Sequence, residues 1–382
     1  MAYSNYLNRR SWLKRSFAIS SGIAVAGGLT AKAIAAPLSR AEESVTVDAA
    51  SPLIRLNANE NPYGPSDKAR QAILKAVAES NRYPFDRTAE LKEKIAAREG
   101  VTIEHIHLGA GSGELLGQTG KAFAANGGSV VSAFPTFPIL MNHAESFGAR
   151  WIKVPVNSKL EHDFEAMASA VSSDTSLVFV CNPNNPTGTL VDPAVVKAFC
   201  SKISERTTVY SDEAYLEFLK PEDQQTMVSL VLQNKPVIVS RTFSKIHGLA
   251  GLRLGYLVGR PDLIARVAKY AGDIPLSQPA VAAALACMDD KNFASMCRDR
   301  NATARGILER YLDKRGLTYG RSYTNFLFFQ APAEGKHILS VMKDKGYLIR
   351  IWDFGGKEWC RVSIGTEQEM KGFVSAFQSA FG

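Results

Sequence analysis

Lys245 stands in a stretch whose residue types suit a phosphate held beside an amine. The stretch reads RTFSKIHGLAGLRLGY over residues 241–256. Thr242 and Ser244 offer hydroxyl donors on one side of the lysine, and Arg253 adds a fixed charge with a planar donor fork on the other. Nearby glycines permit close backbone approach. A turn that leads into a buried strand explains the same residues, so this stretch alone leaves both interpretations open.

Two earlier motifs carry groups that can contact the same ligand. GAGSGELL (109–116) can present the amides of Ser112 and Gly113 to an anion at a helix N-terminus, although a plain tight turn has the same composition. CNPNNPTG (181–188) places the Asn185 amide at a rigid turn, where it can donate to a ring oxygen, although Asn-Pro and Thr-Gly are also common turn formers.

The motif SDEAY (211–215) places Asp212 and Tyr215 after another apolar run. A buried carboxylate is costly unless a cation accompanies it, and a protonated pyridine nitrogen is such a cation. Lys245 would then supply the amine for a Schiff base. The alternative is that Asp212 only caps a helix.

These motifs need elements that bring them to one edge of a sheet. Apolar runs of strand length alternate with helical stretches between about residues 51 and 269. The candidate strands are 129–134, 151–156, 176–182, 207–213, 236–242 and 254–259, and the candidate helices are 113–125, 138–147 and 193–201. The alternation predicts an α/β fold with a mainly parallel sheet covered by helices, in which ligands bind at the carboxyl ends of the strands.

The pattern changes beyond about residue 275. Long helices are predicted at 277–288 and 291–315, followed by the short strands FLFF, YLIRIW and CRVSIG and a closing helix. We therefore predict a smaller α+β domain, with the site at its junction with the larger one. The predicted segments are an export signal (1–35), an N-terminal arm with part of the small domain (36–80), a large domain (81–275) and a small C-terminal domain (276–382).

Composition narrows the class of protein. The chain has 382 residues, of which 46% are hydrophobic and 21% charged, as in an ordinary globular enzyme. Five of its basic residues lie in the first 35 positions, which contain no acidic residue, and the remainder holds 40 basic against 37 acidic residues. This balance argues against nucleic-acid binding. The five cysteines show neither zinc-site spacing nor a disulfide framework and are predicted to be buried small hydrophobic residues.

Taken in chain order, the motifs resemble a known family. Asn185, Asp212, Tyr215, Lys245 and Arg253 in their motifs resemble the pyridoxal-phosphate site of the fold-type-I aminotransferases. LNANENPYGPS (56–66), RYP (82–84), GAGSGELL, FPTF and CRVSIGT are similar to segments of the histidinol-phosphate aminotransferase group. The resemblance runs from about residue 54 to the C-terminus. It implies a seven-stranded sheet in the large domain, pyridoxal 5′-phosphate (PLP) as cofactor, small amino-acid and 2-oxo-acid substrates, and a homodimer.

The resemblance also implies a role for each matching residue. Lys245 would form the Schiff base and move the proton, Asp212 would keep the pyridine nitrogen protonated, and Tyr215 and Asn185 would bind the phenolic oxygen. Phe137 would stack on the ring, where the family usually has tyrosine. The phosphate would be held by Ser112, Gly113, Thr242, Ser244 and Arg253, joined by Tyr83 from the other subunit.

For the substrate, the resemblance assigns the α-carboxylate to Arg361, which otherwise is a strand-edge surface arginine. Arg350 falls near the arginine that the family uses for the distal phosphate of histidinol phosphate. Ile351 and Trp352 depart from the family pattern there, so Arg350 binds either a phosphate or a carboxylate. Tyr63 and Asn325 are predicted either to line the pocket or to serve packing.

The N-terminus predicts export. A basic region, an apolar run (17–31) and small residues before Pro37 form a secretory signal that is too short for a membrane anchor. Arg9 and Arg10, followed by an aromatic residue, resemble a twin-arginine signal, and we expect cleavage after Ala35 and a periplasmic location, although an uncleaved anchor is the alternative.

An aminotransferase is the leading functional prediction. A decarboxylase or cyclising lyase uses the same kind of site and differs only in which substrate bond is broken. A non-catalytic, exported protein that binds PLP or amino acids is the second alternative. Because histidine biosynthesis is cytoplasmic, export favours a periplasmic amino acid or modified peptide as substrate.

Overall fold

Helices and strands alternate along residues 53–273 and 275–382, the part of the chain that the computed structural model describes. The strands are β1 (Ile54–Arg55), β2 (Ile106–Gly109), β3 (Ser129–Phe134), β4 (Arg150–Pro155), β5 (Thr175–Cys181), β6 (Thr208–Asp212), β7 (Val237–Thr242), β8 (Gly255–Gly259), β9 (Phe326–Gln330), β10 (Tyr347–Leu348), β11 (Arg350–Phe354) and β12 (Lys357–Ser363). The α-helices are α1 (Asp67–Val77), α2 (Phe85–Glu99), α3 (Ser112–Ala124), α4 (Ile139–Ser146), α5 (Phe164–Ala170), α6 (Pro193–Ile203), α7 (Val228–Val231), α8 (Pro261–Ala268), α9 (Gln278–Met288), α10 (Lys291–Arg315), α11 (Gly335–Asp344) and α12 (Glu367–Phe381).

Seven strands form the main sheet, in the order β2-β8-β7-β6-β5-β3-β4. Only β8 runs antiparallel to its neighbours, so the prediction of a mainly parallel α/β sheet is confirmed. The central strands β5 and β7 are buried along almost their whole length because helices cover both faces of the sheet, although β7 ends in the polar residues Ser240, Arg241 and Thr242. Their register places Cys181 beside Asp212 and Asp212 beside Ser240, so the strand ends that carry the predicted motifs are adjacent.

A second, antiparallel sheet has the order β11-β12-β9. Arg350 on β11 lies opposite Arg361 on β12. The YLIRIW segment, which the sequence predicts as one strand, contributes to two: Tyr347 and Leu348 pair with β1, whereas β11 pairs with β12. An apolar run shows only that a segment is extended and does not reveal that its two halves have different partners.

The cores lie on both faces of the main sheet and around the second sheet. One cluster includes Val178, Val209 and Val239, and another includes Phe179 and Tyr210 on the opposite face. A third joins Leu56 to the C-terminal elements. All five cysteines are free and buried, which confirms that prediction.

Two further sequence predictions concern the domain boundaries and the N-terminal export signal. The export signal lies outside the described residues, and the domain boundaries remain predictions. Within the described ranges, no helix combines the length and apolar character that crossing a bilayer requires.

Candidate active site

A cavity of about 300 Å³ opens where the main sheet meets the second sheet. It contains side chains from the ends of β5 and β6, the loop after β7, the start of α3 and both arginine-bearing strands. The predicted residues that line it are Ser112, Gly113, Phe137, Asn185, Asp212, Tyr215, Ser244, Lys245, Arg253, Arg350 and Arg361. Residues more than 200 positions apart in the sequence therefore meet in one space.

Lys245 lies three residues beyond the end of β7. Its Nζ donates a hydrogen bond to the Asn59 carbonyl at 3.3 Å and lies 5.8 Å from the centre of the Tyr215 ring. Burial, aided by the positive charges of Arg361 and Arg253, lowers the pKa of Lys245 to about 8. At pH 7 about a tenth of this amine is therefore unprotonated, the form that a nucleophile or proton acceptor requires, compared with far less than about one per cent at the ordinary lysine pKa.

Asp212 is the last residue of β6 and is buried. Its Oδ1 accepts hydrogen bonds from the Ala214 amide and the Ser240 hydroxyl, both at 3.1 Å. Burial raises the pKa of this carboxyl to about 6. Because both hydrogen bonds end on one oxygen, Oδ2 is available to a cationic ligand group, which would favour the ionised carboxylate.

Tyr215 and Asn185 form a buried hydrogen-bonded group that also lines the cavity. The Tyr215 hydroxyl accepts from Asn59 Nδ2 at 2.9 Å and lies 3.5 Å from Asn185 Nδ2. Asn185 Oδ1 in turn accepts from Arg361 at 2.8 Å. Burial raises the pKa of Tyr215, so its hydroxyl stays protonated and can donate.

The start of α3 and Arg253 form a cradle suited to an anion. The first amides of a helix have no acceptor one turn earlier, and Ser112 and Gly113 at these positions line the cavity. Arg253 donates to Ser244 Oγ at 3.4 Å and to the Ala250 carbonyl at 3.0 Å. A Cβ added to Gly111 would overlap the Arg253 guanidinium, so any side chain here would force that group to move.

Arg361 is 3% exposed and extends from β12 into the cavity. It donates to Asn185 Oδ1 and, at 3.0 Å, to the Asn57 carbonyl, whereas its Nε has no partner among the described residues. Burial, followed by the charge of Arg350, lowers the pKa of Arg361 to about 10. The guanidinium is still charged at neutral pH and can receive an anion.

Four predicted site residues do not line this cavity. Thr242 is buried, and its hydroxyl accepts from the Ser244 amide at 3.1 Å. Tyr63 and Asn325 line a separate small cavity of about 10 Å³. The Arg300 guanidinium lies 5.0 Å from the centre of the Tyr63 ring. Tyr83 is 69% exposed on the surface. Their predicted roles in binding remain predictions.

Sequence reasoning did not single out several residues that the structure places at the site. Asn59 and Glu60 line the cavity beside Cys181, and Ser240 supports Asp212 from the neighbouring strand. The segment LNANENPYGPS marked the region of Asn59, but its partners Tyr215 and Ser363 are 156 and 304 residues away in the chain. A local sequence pattern contains no information about contacts between residues so far apart in the chain.

Comparisons with known proteins identify the family. The family model described as aminotransferase class I and II matches residues 51–377. The chain belongs to this family. Histidinol-phosphate aminotransferase 2 of Ralstonia nicotianae is 35% identical over 348 residues, which cover 90% of this chain and 92% of the relative. The histidinol-phosphate aminotransferase of Moorella thermoacetica is 35% identical over 328 residues, which cover 85% of each protein.

A solved structure agrees with this assignment. The crystal structure of histidinol-phosphate aminotransferase from Sinorhizobium meliloti in complex with pyridoxal-5′-phosphate matches with a TM-score of 0.79 and 29% identity, covering 86% of this chain and 90% of that chain. The prediction of a PLP-dependent aminotransferase is thereby confirmed.

The residues of this aminotransferase fit the cofactor group by group. The helix N-terminus and Arg253 suit its phosphate, the free Oδ2 of buried Asp212 suits its ring nitrogen, and the Tyr215 hydroxyl suits its phenolic oxygen. Lys245 is the amine in the same cavity. When bound, PLP supplies an electron sink for the carbanion chemistry of amino-group transfer.

Proposed function

We propose that this aminotransferase acts on an L-amino acid that carries a second, distal anionic group. In this proposal Arg361 binds the α-carboxylate and Arg350 binds the distal anion. One observation carries it: Arg361 is a deeply buried cation with neutral hydrogen-bond partners, and its Nε has no partner among the described residues. A buried charge of this kind is costly, and a carboxylate that pairs with it offsets the cost.

Arg350 supplies the second positive charge. It lies opposite Arg361 in the register of β11 and β12, lines the same cavity and is exposed. The effect of Arg350 on the pKa of Arg361 shows that the two cations repel each other. A ligand with two anionic groups relieves that repulsion, and either a carboxylate or a phosphate satisfies the requirement at Arg350.

Each residue of the site has a separate role in the proposed reaction. Arg361 orients the substrate through its carboxylate, which fixes the bond that faces Lys245. The Lys245 amine, with its lowered pKa, accepts the substrate proton and returns it. Asp212 would stabilise the protonated ring nitrogen of PLP, and Tyr215 would donate a hydrogen bond to its phenolic oxygen.

The substrate proposal can be tested with single amino donors. The PLP-loaded protein is mixed with L-glutamate, L-alanine or O-phospho-L-serine, which carries both an α-carboxylate and a distal phosphate, and loss of the yellow absorption is followed. We expect the acidic donors to react at lower concentration than L-alanine. The Arg350→Gln variant should raise the KM for the acidic donor about tenfold and leave that for L-alanine unchanged, because one charge-assisted hydrogen bond is lost.

Each possible donor preference in this test leads to a different conclusion about the group that Arg350 binds. Preference for O-phospho-L-serine assigns a phosphate to Arg350, and preference for L-glutamate assigns a carboxylate. Equal use of L-alanine, with no effect of Arg350→Gln, contradicts the proposal of a distal anion.

We also propose that the enzyme is a homodimer, in which Tyr83 reaches the partner's site. The support is a group of exposed apolar side chains within a short stretch of the chain. Its members are Leu74, Val77, Tyr83 and Phe85, each more than half exposed. Monomers rarely leave such groups in water unless a partner covers them.

Finally, we propose export to the periplasm through a twin-arginine signal, on the basis of the sequence of residues 8–36. The substrate would then be a periplasmic amino acid or modified peptide. Cell fractionation should find the mature protein in the periplasm, and changing both Arg9 and Arg10 to lysine should retain it in the cytoplasm. Recovery of the unaltered protein in the cytoplasm would contradict export.

A further inference from the structure

Asn59 uses all of its polar groups within the site. Its backbone nitrogen donates to Ser363 Oγ at 2.7 Å, and its carbonyl accepts from Asn325 at 3.0 Å and from Lys245 at 3.3 Å. Its side-chain Oδ1 accepts from Ser363 Oγ at 3.1 Å, and its Nδ2 donates to Tyr215 at 2.9 Å. The residue is 1% exposed.

The backbone of Asn59 has a φ of 54°, in the left-handed region. This conformation suits asparagine, aspartate and glycine better than other residues. It directs the carbonyl towards Lys245 while the side chain extends to Tyr215. A strained residue that contacts two reacting side chains is a candidate for a functional role.

The direction of each hydrogen bond around Asn59 follows from the groups involved. A backbone N–H can only donate, so Ser363 Oγ accepts from Asn59 and directs its own proton to Asn59 Oδ1. The other side-chain atom, Nδ2, therefore faces Tyr215.

Asn185 is oriented by the same logic on the other side of Tyr215. Arg361 can only donate, so the atom that accepts from it is Asn185 Oδ1, and Asn185 Nδ2 faces the tyrosine at 3.5 Å. The Tyr215 oxygen thus receives two amide donors. Its own proton must be donated elsewhere, and Tyr215 lines the cavity.

We propose that Asn59 and Ser363 are positioning residues that fix the direction of the Tyr215 hydroxyl, so that it donates its proton into the cavity, to the phenolic oxygen of PLP. The inference rests on the aminotransferase function stated above. It assigns to the N-terminal segment, which precedes the main sheet in the chain, a part in holding the cofactor.

Two variants separate the side chain of Asn59 from its backbone. Asn59→Gly removes the amide but keeps the left-handed conformation accessible, and Asn59→Asp keeps the shape but replaces the donor with acceptor oxygens. Both retain the carbonyl that contacts Lys245. Ser363→Ala is a third variant, which leaves the Asn59 amide in place but free to turn. Asn301→Asp is the matched control, because Asn301 is also buried and donates at 3.1 Å to a backbone carbonyl, that of Thr324.

Three quantities are measured for each protein: the dissociation constant of PLP, the pH midpoint of the visible absorption change of the bound cofactor, and the urea midpoint of the cofactor-free protein. We expect Asn59→Gly and Asn59→Asp to weaken PLP binding about tenfold, since one hydrogen bond is lost or reversed. The pH midpoint should rise, because a phenolic oxygen that receives weaker donation is more basic and retains its shared proton to higher pH. Ser363→Ala should also weaken PLP binding and raise the pH midpoint, but by a smaller amount.

The Asn301→Asp control shows the effects expected of a residue that serves only packing. Asn301→Asp should lower the urea midpoint and leave the pH midpoint and the PLP affinity unchanged. If the Asn59 variants behave in the same way as this control, the positioning role is overturned. If Asn59→Gly does not fold, Ser363→Ala still decides the matter through the pH midpoint. Failure of the unaltered protein to bind PLP would instead contradict the aminotransferase function on which the inference depends.

Discussion

Asp212 and Glu213 are adjacent carboxylates with different surroundings. Asp212 lines the cavity, whereas Glu213 forms a buried ion pair with Arg241 at 2.8 Å and accepts from the Met227 amide at 2.7 Å. Alternation along the strand end sends consecutive side chains to opposite sides. One carboxylate is therefore available to a ligand, and the other stabilises the fold.

This difference predicts opposite outcomes for two conservative substitutions. Asp212→Asn should lower kcat/KM by about a hundredfold or more, because it removes preorganised charge from the cavity, with little loss of stability. Glu213→Gln should lower the free energy of unfolding by about 3 kcal/mol or more, because it leaves Arg241 buried without its partner. Steady-state kinetics and urea unfolding of the two variants test this. Equal destabilisation by both, with unchanged kinetics for Asp212→Asn, would refute the assignment.

The site residues were predictable to the extent that short motifs contain them. Lys245, Asp212 and Asn185 stand in local patterns that suit their chemistry, and the structure brings them together. Asn59 was missed because its importance depends on contacts with Ser363 and Tyr215, which are distant in sequence. The sequence also could not show that Tyr63 lies outside the main cavity, because an aromatic residue near a motif is equally suited to packing and to ligand binding.

At the scale of elements, the N-terminus of α3 depends on one glycine. Gly111 precedes the helix with a φ of 83°, and an added Cβ would contact Arg253. We expect Gly111→Ala to displace the guanidinium and weaken PLP binding by about tenfold or more, through loss of charge-assisted hydrogen bonds.

Gly100→Ala provides the control for this substitution. Gly100 has a similar φ of 71°, and an added Cβ there meets nothing within 4 Å. It should show the cost of the strained backbone alone, measured as a lower urea midpoint with unchanged PLP affinity. Equal effects of the two substitutions on PLP binding would contradict the cradle at α3.

The loop after β7 is tied to the main body by a second ion pair. His247, two residues after Lys245, lies 3.1 Å from Glu217, which also pairs with Arg98 at 3.0 Å. Although burial opposes the charge, Glu217 and the nearby Cys287 thiol raise the pKa of His247 to about 10. His247 is therefore protonated in the folded protein over the neutral range.

This pair predicts how stability changes with pH. The folded pKa of His247 lies above its unfolded value of about 6.5, so the stabilisation is complete below that pH and is lost as pH rises towards about 10. Relative to His247→Gln, the unaltered protein should lose up to about 1.4 kcal/mol of unfolding free energy per pH unit in this window. Urea unfolding across the window measures the difference, in which the opposite contribution of Lys245 cancels. A constant difference between the two proteins would contradict a charged His247.

Strand positions were predicted well because apolar runs mark buried strands directly. β3 has the predicted bounds, and β5, β6 and β7 differ from prediction by one residue at an end or at both ends. β1 was not predicted, because a two-residue strand has no period. Its partner β10 lies almost 300 residues later, so only the tertiary fold defines it.

At the scale of the whole molecule, the exposed apolar side chains of residues 74–85 predict the oligomeric state. If the chain forms the homodimer proposed above, Phe85→Asp should convert it into monomers and weaken PLP binding, because Tyr83 would no longer reach a second site. Leu232→Asp is the control, since Leu232 is 59% exposed elsewhere on the surface. Sedimentation velocity checks both variants. Dissociation by both substitutions, or by neither, would contradict an interface at this stretch.

The hydrogen bond between Asn59 and Ser363 joins residues that are 304 positions apart in the chain. This separation has a consequence for the order in which the site forms during synthesis on the ribosome. A ribosome that adds about 5 to 20 residues per second needs roughly 15 to 60 s to make the second partner after the first. During that time the N-terminal segment has no Ser363 to bind. We therefore expect the cofactor pocket to be completed, and PLP to be captured, only after Ser363 has emerged from the ribosome.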